Sequence, residues 1–307
     1  MAVNQATVQL EYRRTSPAVR PRHIATKLEF DTSLRQRGRQ SHSVNRTDSK
    51  MASNKPNTNG LVDDPFKHVD PDIDSMENDA RWTVVDQYAL KHLHTTDNPW
   101  HKAIEHAAQN SAAKGLPDIA ASALQGKYLA VQCRIARARN VLEVGSLGAY
   151  STIWMASASP EIRITTLEID EGRAAIAREN IAFAGLNDRI KIVVGAALDV
   201  LPQLEKDVQQ GKREKFDFTF IDADKANAPG YFDWAVKLSV PHACIIVDNM
   251  VRKGLLAAGP SVASDANLLG IKKTLEAVGK DDRVEATLVQ TVSEKNYDGF
   301  LVAVKKE

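Results

Sequence analysis

The sequence predicts an α/β fold: a mostly parallel sheet of seven strands, an antiparallel hairpin at the end of the chain, and extra helices ahead of the sheet. Three observations predict it. After Arg139, short apolar runs alternate with helical patterns five times. Strands buried on both faces read as such runs, and the helices between them cover the sheet. The last two runs, "RVEATLV" and "GFLVAVKK", have no helix between them, which suits a hairpin. Two earlier runs end in acidic clusters, and ligands of such sheets bind beyond the carboxyl ends of the strands.

Residues 1–75 show no sustained period. They are rich in Arg, Ser, Asn, Thr and Gln and poor in large apolar side chains, so they are expected to form a disordered tail, with Met51 as a possible internal start. The folded domain is expected over 76–307, helical over 76–139 and sheet-based over 140–307. "RWTVVDQYALKHL" reads as a helix. So does "NPWHKAIEHAAQNSAAKG", with Asn98 as cap and Pro99 in the first turn. "DIAASALQGKYLAVQCRIARA" reads as a third, with Leu124, Tyr128 and Val131 at helical spacing. The strands are "NVLEV", "IRITTLEI", "RIKIVVG", "FDFTFID" and "ACIIVDN" before the final pair. Among the intervening helices, "EGRAAIARENIAFAG" has Ala174, Ala177, Ile181 and Ala184 on one face and Gly185 as its stop.

Of 307 residues, 40 are Lys or Arg and 39 Asp or Glu, a net charge of +1 that favours neither nucleic acid nor an anionic membrane. No run approaches the roughly 20 apolar residues of a spanning helix, and no apolar segment of a secretory signal follows the N-terminus. Cys133 and Cys244 both sit in apolar surroundings and read as packing thiols rather than a disulfide. A cytoplasmic protein is expected.

The chemistry gathers at strand ends. "LEVGSLGAYST" joins the first strand to a helix, and Gly145 and Gly148 allow a tight turn close to a ligand. The spacing is not that of a dinucleotide fingerprint, and Glu143 in the turn would repel a pyrophosphate but suit a cationic ligand. Glu168 ends the second strand, where an acid accepts hydrogen bonds from a ribose diol, while Asp170 reads as a helix cap. The fourth run ends in Asp222, Asp224 and Lys225, the fifth in Asp248 and Asn249. Polar loops explain one acid at a strand end; two strands closing on Asp-containing clusters suggest that their tips meet around a metal ion. Hard oxygen donors suit Mg2+, and no Cys or His pair stands there for zinc or copper. Together these features suggest an adenosine-containing, positively charged ligand without a phosphate chain, and S-adenosylmethionine fits.

From about Pro99 to Lys306 the chain resembles the cation-dependent O-methyltransferases, the family of caffeoyl-CoA and catechol O-methyltransferases. The matching stretches are "LQGKYL", "VLEVGSLGAYST", "TTLEID", "VGAALDVLP", "FIDADKANAPGYFDWA", "VDNMVRKG" and "YDGFLVAV", in the family's order. The resemblance implies a Rossmann-like methyltransferase fold and an S-adenosylmethionine-dependent methyltransferase domain over 76–307. It implies transfer of a methyl group to a hydroxyl of a small phenolic or catechol substrate. It assigns Glu143, Gly145, Ser146 and Ser151 to the cofactor, Glu168 to the ribose, Ala197 to the adenine, and Asp224 and Tyr231 to the amino-acid end. Asp222, Asp248 and Asn249 become the metal ligands and Lys225 the catalytic base. Homodimers are typical of plant-type members. Ala149 departs from the family's usual glycine, and a φ above zero there would cost about 1 kcal/mol or more. The alternatives are a nicotinamide-dependent oxidoreductase on the same fold, or a module that binds the cofactor without catalysis.

Overall fold

The computed structural model describes residues 79–257 and 264–307. The expected tail, Met51, and the expected domain start at 76 lie outside the described residues. Three helices come first: α1 (Ala80–Leu93), α2 (His101–Ala113) and α3 (Ala123–Ile135). Then β1 (Asn140–Val144), α4 (Tyr150–Ala156), β2 (Arg163–Glu168), α5 (Glu171–Phe183), β3 (Ile190–Val194) and α6 (Ala197–Gln209) alternate. They are followed by β4 (Phe216–Ile221), α7 (Ala228–Leu238), β5 (Ser239–Val247), α8 (Ala266–Val278), β6 (Val284–Val292) and β7 (Tyr297–Lys305).

The strands form one sheet in the order β3-β2-β1-β4-β5-β7-β6. β1 to β5 pair in parallel, and β7 alone opposes its neighbours, lying between β5 and β6. This is the predicted seven-stranded, Rossmann-like sheet with its terminal hairpin. The strand order reverses beside β1, so the crevice of the fold lies between the tips of β1 and β4.

Alternation along each strand feeds two cores. Phe218, Phe220 and Ile246 face a layer with Leu129, Ile153 and Trp154 from α3 and α4. Leu142, Val144, Ile245 and Val247 face Leu201, Phe232 and Ile271 from α6, α7 and α8. Phe216, Phe218 and Phe220 are fully buried, each contributing about 1.5–3 kcal/mol of transfer free energy.

Several local signals behave as expected. Asp170 caps α5, accepting the Arg173 N–H at 2.8 Å, and Gly185 follows the helix at φ +67°. Cys133 and Cys244 are free and buried. Two details differ. Asn98 does not cap α2; its side chain accepts the Trp100 N–H, closing a turn ahead of a helix whose cap residue is Trp100. The inward face of α3 is Gly126, Leu129, Ala130 and Cys133, while Val131 is 42% exposed. Closeness of approach decides this: a Cβ on Gly126 would lie 2.2 Å from the Trp154 ring, so only glycine lets α3 seat on α4.

Candidate active site

Asp222 and Asp248 stand level at neighbouring strand tips. Val144 pairs with Ile221, and Ile221 with Val247, so the ladder runs on into Gly145, Asp222 and Asp248. The Asp222 N–H donates to the Val144 carbonyl at 2.8 Å, and the Asp248 N–H to the Ile221 carbonyl at 2.9 Å. Adjacent strands lie about 4.8 Å apart, which puts each carboxylate within reach of the other's charge. Burial, then the charge of Asp222, pushes the Asp248 carboxyl well above the usual carboxylate range. Gln125 on α3 donates to its Oδ2 at 2.8 Å, and the Asn249 N–H to its Oδ1.

Lys225 is buried, and its Nζ donates to Asp222 Oδ1 at 3.1 Å. Its turn is held by α8. Asn267 Oδ1 accepts the Lys225 and Ala226 N–H groups, and a Cβ on Gly270 would lie 1.9 Å from the Lys225 carbonyl oxygen. The Tyr231 hydroxyl donates to Asp224, and burial together with that carboxylate raises the phenol's pKa. Asn249 has φ +53°, and its amide nitrogen donates to Asp298 at 3.3 Å.

A cavity of about 1030 Å3 opens over these tips. Its wall includes Gly145, Ser146 and Ser151 from the first loop, Glu168 and Ala197 from the next two, and Asp222, Asp224, Lys225, Tyr231 and Asn249. Gly145 has φ +101°, and a Cβ there would lie 2.1 Å from the Asp222 carbonyl oxygen, so the loop crosses the tip of β4 only as glycine. Ala149 is left-handed at φ +61°, which meets the condition set for it and costs about 1–2 kcal/mol. Asn180, fully buried on α5, steadies that loop by donating to the Gly148 carbonyl at 2.8 Å and accepting from Asn110 of α2. Glu168 accepts the Leu147 N–H at 2.8 Å and the Asp170 N–H at 3.1 Å.

Two of the predicted residues stand back from the cavity wall. Asp248 is buried behind it. Glu143 belongs to β1 rather than to the turn, is fully buried, and accepts the hydroxyls of Ser151, Thr152 and Thr166 beneath the first loop. Burial raises its pKa to about 7 against the pull of those three hydrogen bonds, with the charge of Asp222 adding to the rise. Gln125, Thr152, Thr166, Asn180, Asn267 and Asp298 were not foreseen. Gln125 meets Asp248 across 123 positions and Asn180 meets Asn110 across 70, contacts without a local signature. Gln125, Thr152, Thr166 and Asp298 fall within stretches that carry the family's pattern, whereas Asn180 and Asn267 fall in none. Among the described residues no three His, Cys, Asp or Glu side chains cluster as a metal site; the predicted set has two carboxylates and one amide.

The strand order and a cavity over the switch point, rimmed by loops after five successive strands, define a Rossmann-like fold of the methyltransferase class. The chain belongs to the O-methyltransferase family, whose model matches residues 94–305. It is 49% identical over 233 residues to the O-methyltransferase imqG of Aspergillus flavus, covering 76% of this chain and 94% of that protein. It is 42% identical over 203 residues to a catechol O-methyltransferase of Mycobacterium tuberculosis, covering 66% and 88%. Among solved structures, the O-methyltransferase from Bacillus cereus in complex with SAH superposes with a TM-score of 0.68 at 46% identity, covering 74% of this chain and 99% of that one. TomG from Streptomyces achromogenes, in complex with SAM, superposes with a TM-score of 0.68 at 38% identity, covering 74% and 98%. This membership removes the nicotinamide oxidoreductase alternative.

Proposed function

We propose that this chain is an S-adenosylmethionine-dependent, divalent-cation-dependent O-methyltransferase acting on a hydroxyl of a small catechol-like or phenolic substrate. The observation that carries the reading is the level placement of Asp222 and Asp248, with Asn249 and Lys225 beside them. Two carboxylates that repel one another fit a cation that offsets their charge. With the amide oxygen of Asn249 they form a hard donor set of the kind Mg2+ takes, with positions left for substrate oxygens. A divalent cation bound there supplies a Lewis acid that lowers a phenolic pKa of about 10.

The chain's own residues do the rest. Glu168 offers its carboxylate to the ribose hydroxyls, and Ala197 packs by the adenine. Asp224 and Tyr231 hold the amino-acid end, and Gly145, Ser146 and Ser151 meet the cofactor along the first loop, which Glu143 fixes from below through Ser151. Lys225, whose Nζ stands 3.1 Å from Asp222 Oδ1, is the base placed to take the hydroxyl proton, with Asp222 beside it to hold the charge. The phenolic oxygen then bonds to the methyl carbon as the carbon–sulfur bond breaks, leaving a neutral thioether. Holding the two reactants in line can contribute about 7–11 kcal/mol.

The test is transfer of labelled methyl to a panel of di- and monohydroxy aromatics. Turnover should vanish in a chelator, return with Mg2+, and be abolished by Asp222→Ala. Undiminished transfer in the chelator overturns the cation requirement, and cofactor binding without transfer across the panel points to a non-catalytic module. The buried free thiols support a reducing compartment such as the cytoplasm. The apolar side chains that α1 leaves exposed, Val84, Val85 and Tyr88, support a homodimer.

A further inference from the structure

We propose that Asp298 is a positioning residue for the cation site, fixing the amide of Asn249 so that its oxygen, not its nitrogen, is the atom offered to the ion. The inference rests on the cation-site reading above. Asp298 lies on β7 and is 7% exposed. Its two oxygens have separate tasks. Oδ1 accepts three backbone N–H groups, from Val251 at 3.1 Å, Arg252 at 2.8 Å and Gly299 at 2.9 Å. These bonds hold a turn in which Asn249, Arg252 and Lys253 are all left-handed, at φ +53°, +51° and +60°.

Oδ2 accepts from the Asn249 side-chain nitrogen, at 3.3 Å. A carboxylate has no proton to give, so this contact selects one of the two amide orientations. Turning the amide over would set two acceptor oxygens against each other. The nitrogen is thereby committed to Asp298, and the oxygen remains for the cavity that Asn249 lines. An amide nitrogen cannot ligate Mg2+, so the Asp298 contact decides whether position 249 is a ligand at all. Outer partners that orient a ligand typically alter cation affinity 10–100-fold when removed.

The test uses Mn2+ as the probe, its free fraction read by electron paramagnetic resonance. SAH affinity and thermal midpoint are measured alongside on the full chain. Asp298→Asn keeps an oxygen for the three backbone N–H groups but replaces the Oδ2 acceptor by a donor. Mn2+ binding should weaken about 10–100-fold while SAH affinity holds. The exchanged pair Asn249→Asp with Asp298→Asn restores an oxygen ligand facing an amide donor and should recover Mn2+ affinity. Unchanged Mn2+ binding in the single variant, or no recovery in the exchanged pair, overturns the inference. So does a parallel loss of Mn2+ and SAH binding, which marks Asp298 as only structural. Wild-type protein that binds no Mn2+ overturns the cation-site reading itself, a separate result.

Discussion

Glu143 is an acid sealed from bulk solvent, and that has a pH consequence. Its pKa stands at about 7 in the fold against an ordinary 4.5, chiefly from burial. The folded state therefore binds the proton more tightly than the unfolded one. The stability this contributes is complete below about pH 4.5 and lost as pH rises through about 7, roughly 3 kcal/mol in all. Glu143→Gln removes the titration. Between pH 4.5 and 8 the wild-type thermal midpoint should fall relative to the variant's by about 5 °C or more; parallel curves would sink the assignment. Asp222, Asp248 and Asn249 were legible in the sequence because apolar runs stopped on them. The sealed position of Glu143 was not. The strand "NVLEV" already held Glu143, but nothing in that segment shows that its side chain is sealed beneath the first loop instead of lining the turn.

Gly270 shows how a helix can set a distance within the proposed active site. α8 approaches so closely that a methyl group there would meet the Lys225 carbonyl. Gly270→Ala must push the Lys225 turn away from α8 and disturb the 3.1 Å contact with Asp222. The expected result is kcat lowered by about 100-fold, the cost typical of a 1 Å misplacement, with the KM for S-adenosylmethionine little changed. An unaltered kcat would show that the turn absorbs the methyl group. Helix ends were readable because Asp170 and Gly185 do their work within one turn of chain. The buried face of α3 was not, because the pattern of Leu124, Tyr128 and Val131 records apolarity, whereas the packing against Trp154 selects for smallness at Gly126.

Among the described residues, α1 leaves an apolar flank. Val84, Val85 and Tyr88 on α1 are 64%, 65% and 69% exposed, more than isolated surface residues need. If a second copy covers them, Tyr88→Glu should halve the mass seen by light scattering while leaving SAH affinity intact; a wild-type mass of one chain would discard the dimer. The topology was legible because each parallel strand announces itself as an apolar run followed by a helix. The terminal hairpin followed from the missing last helix, but that β7 rather than β6 lies beside β5 did not. What joins distant parts, such as Gln125 with Asp248 or Asn249 with Asp298, is written in no segment and exists only once the chain has closed.

The crossing of Gly145 over the Asp222 carbonyl places the loop after β1 and the tip of β4 in backbone contact, with no side chain between them to act as a cushion. Neither rim can shift without the other. If the proposed cation and cofactor both bind there, occupancy of one pocket is expected to alter affinity in its neighbour, and thermodynamic reciprocity makes the factor the same in both directions. Calorimetric titrations run in either order of addition should return that single number.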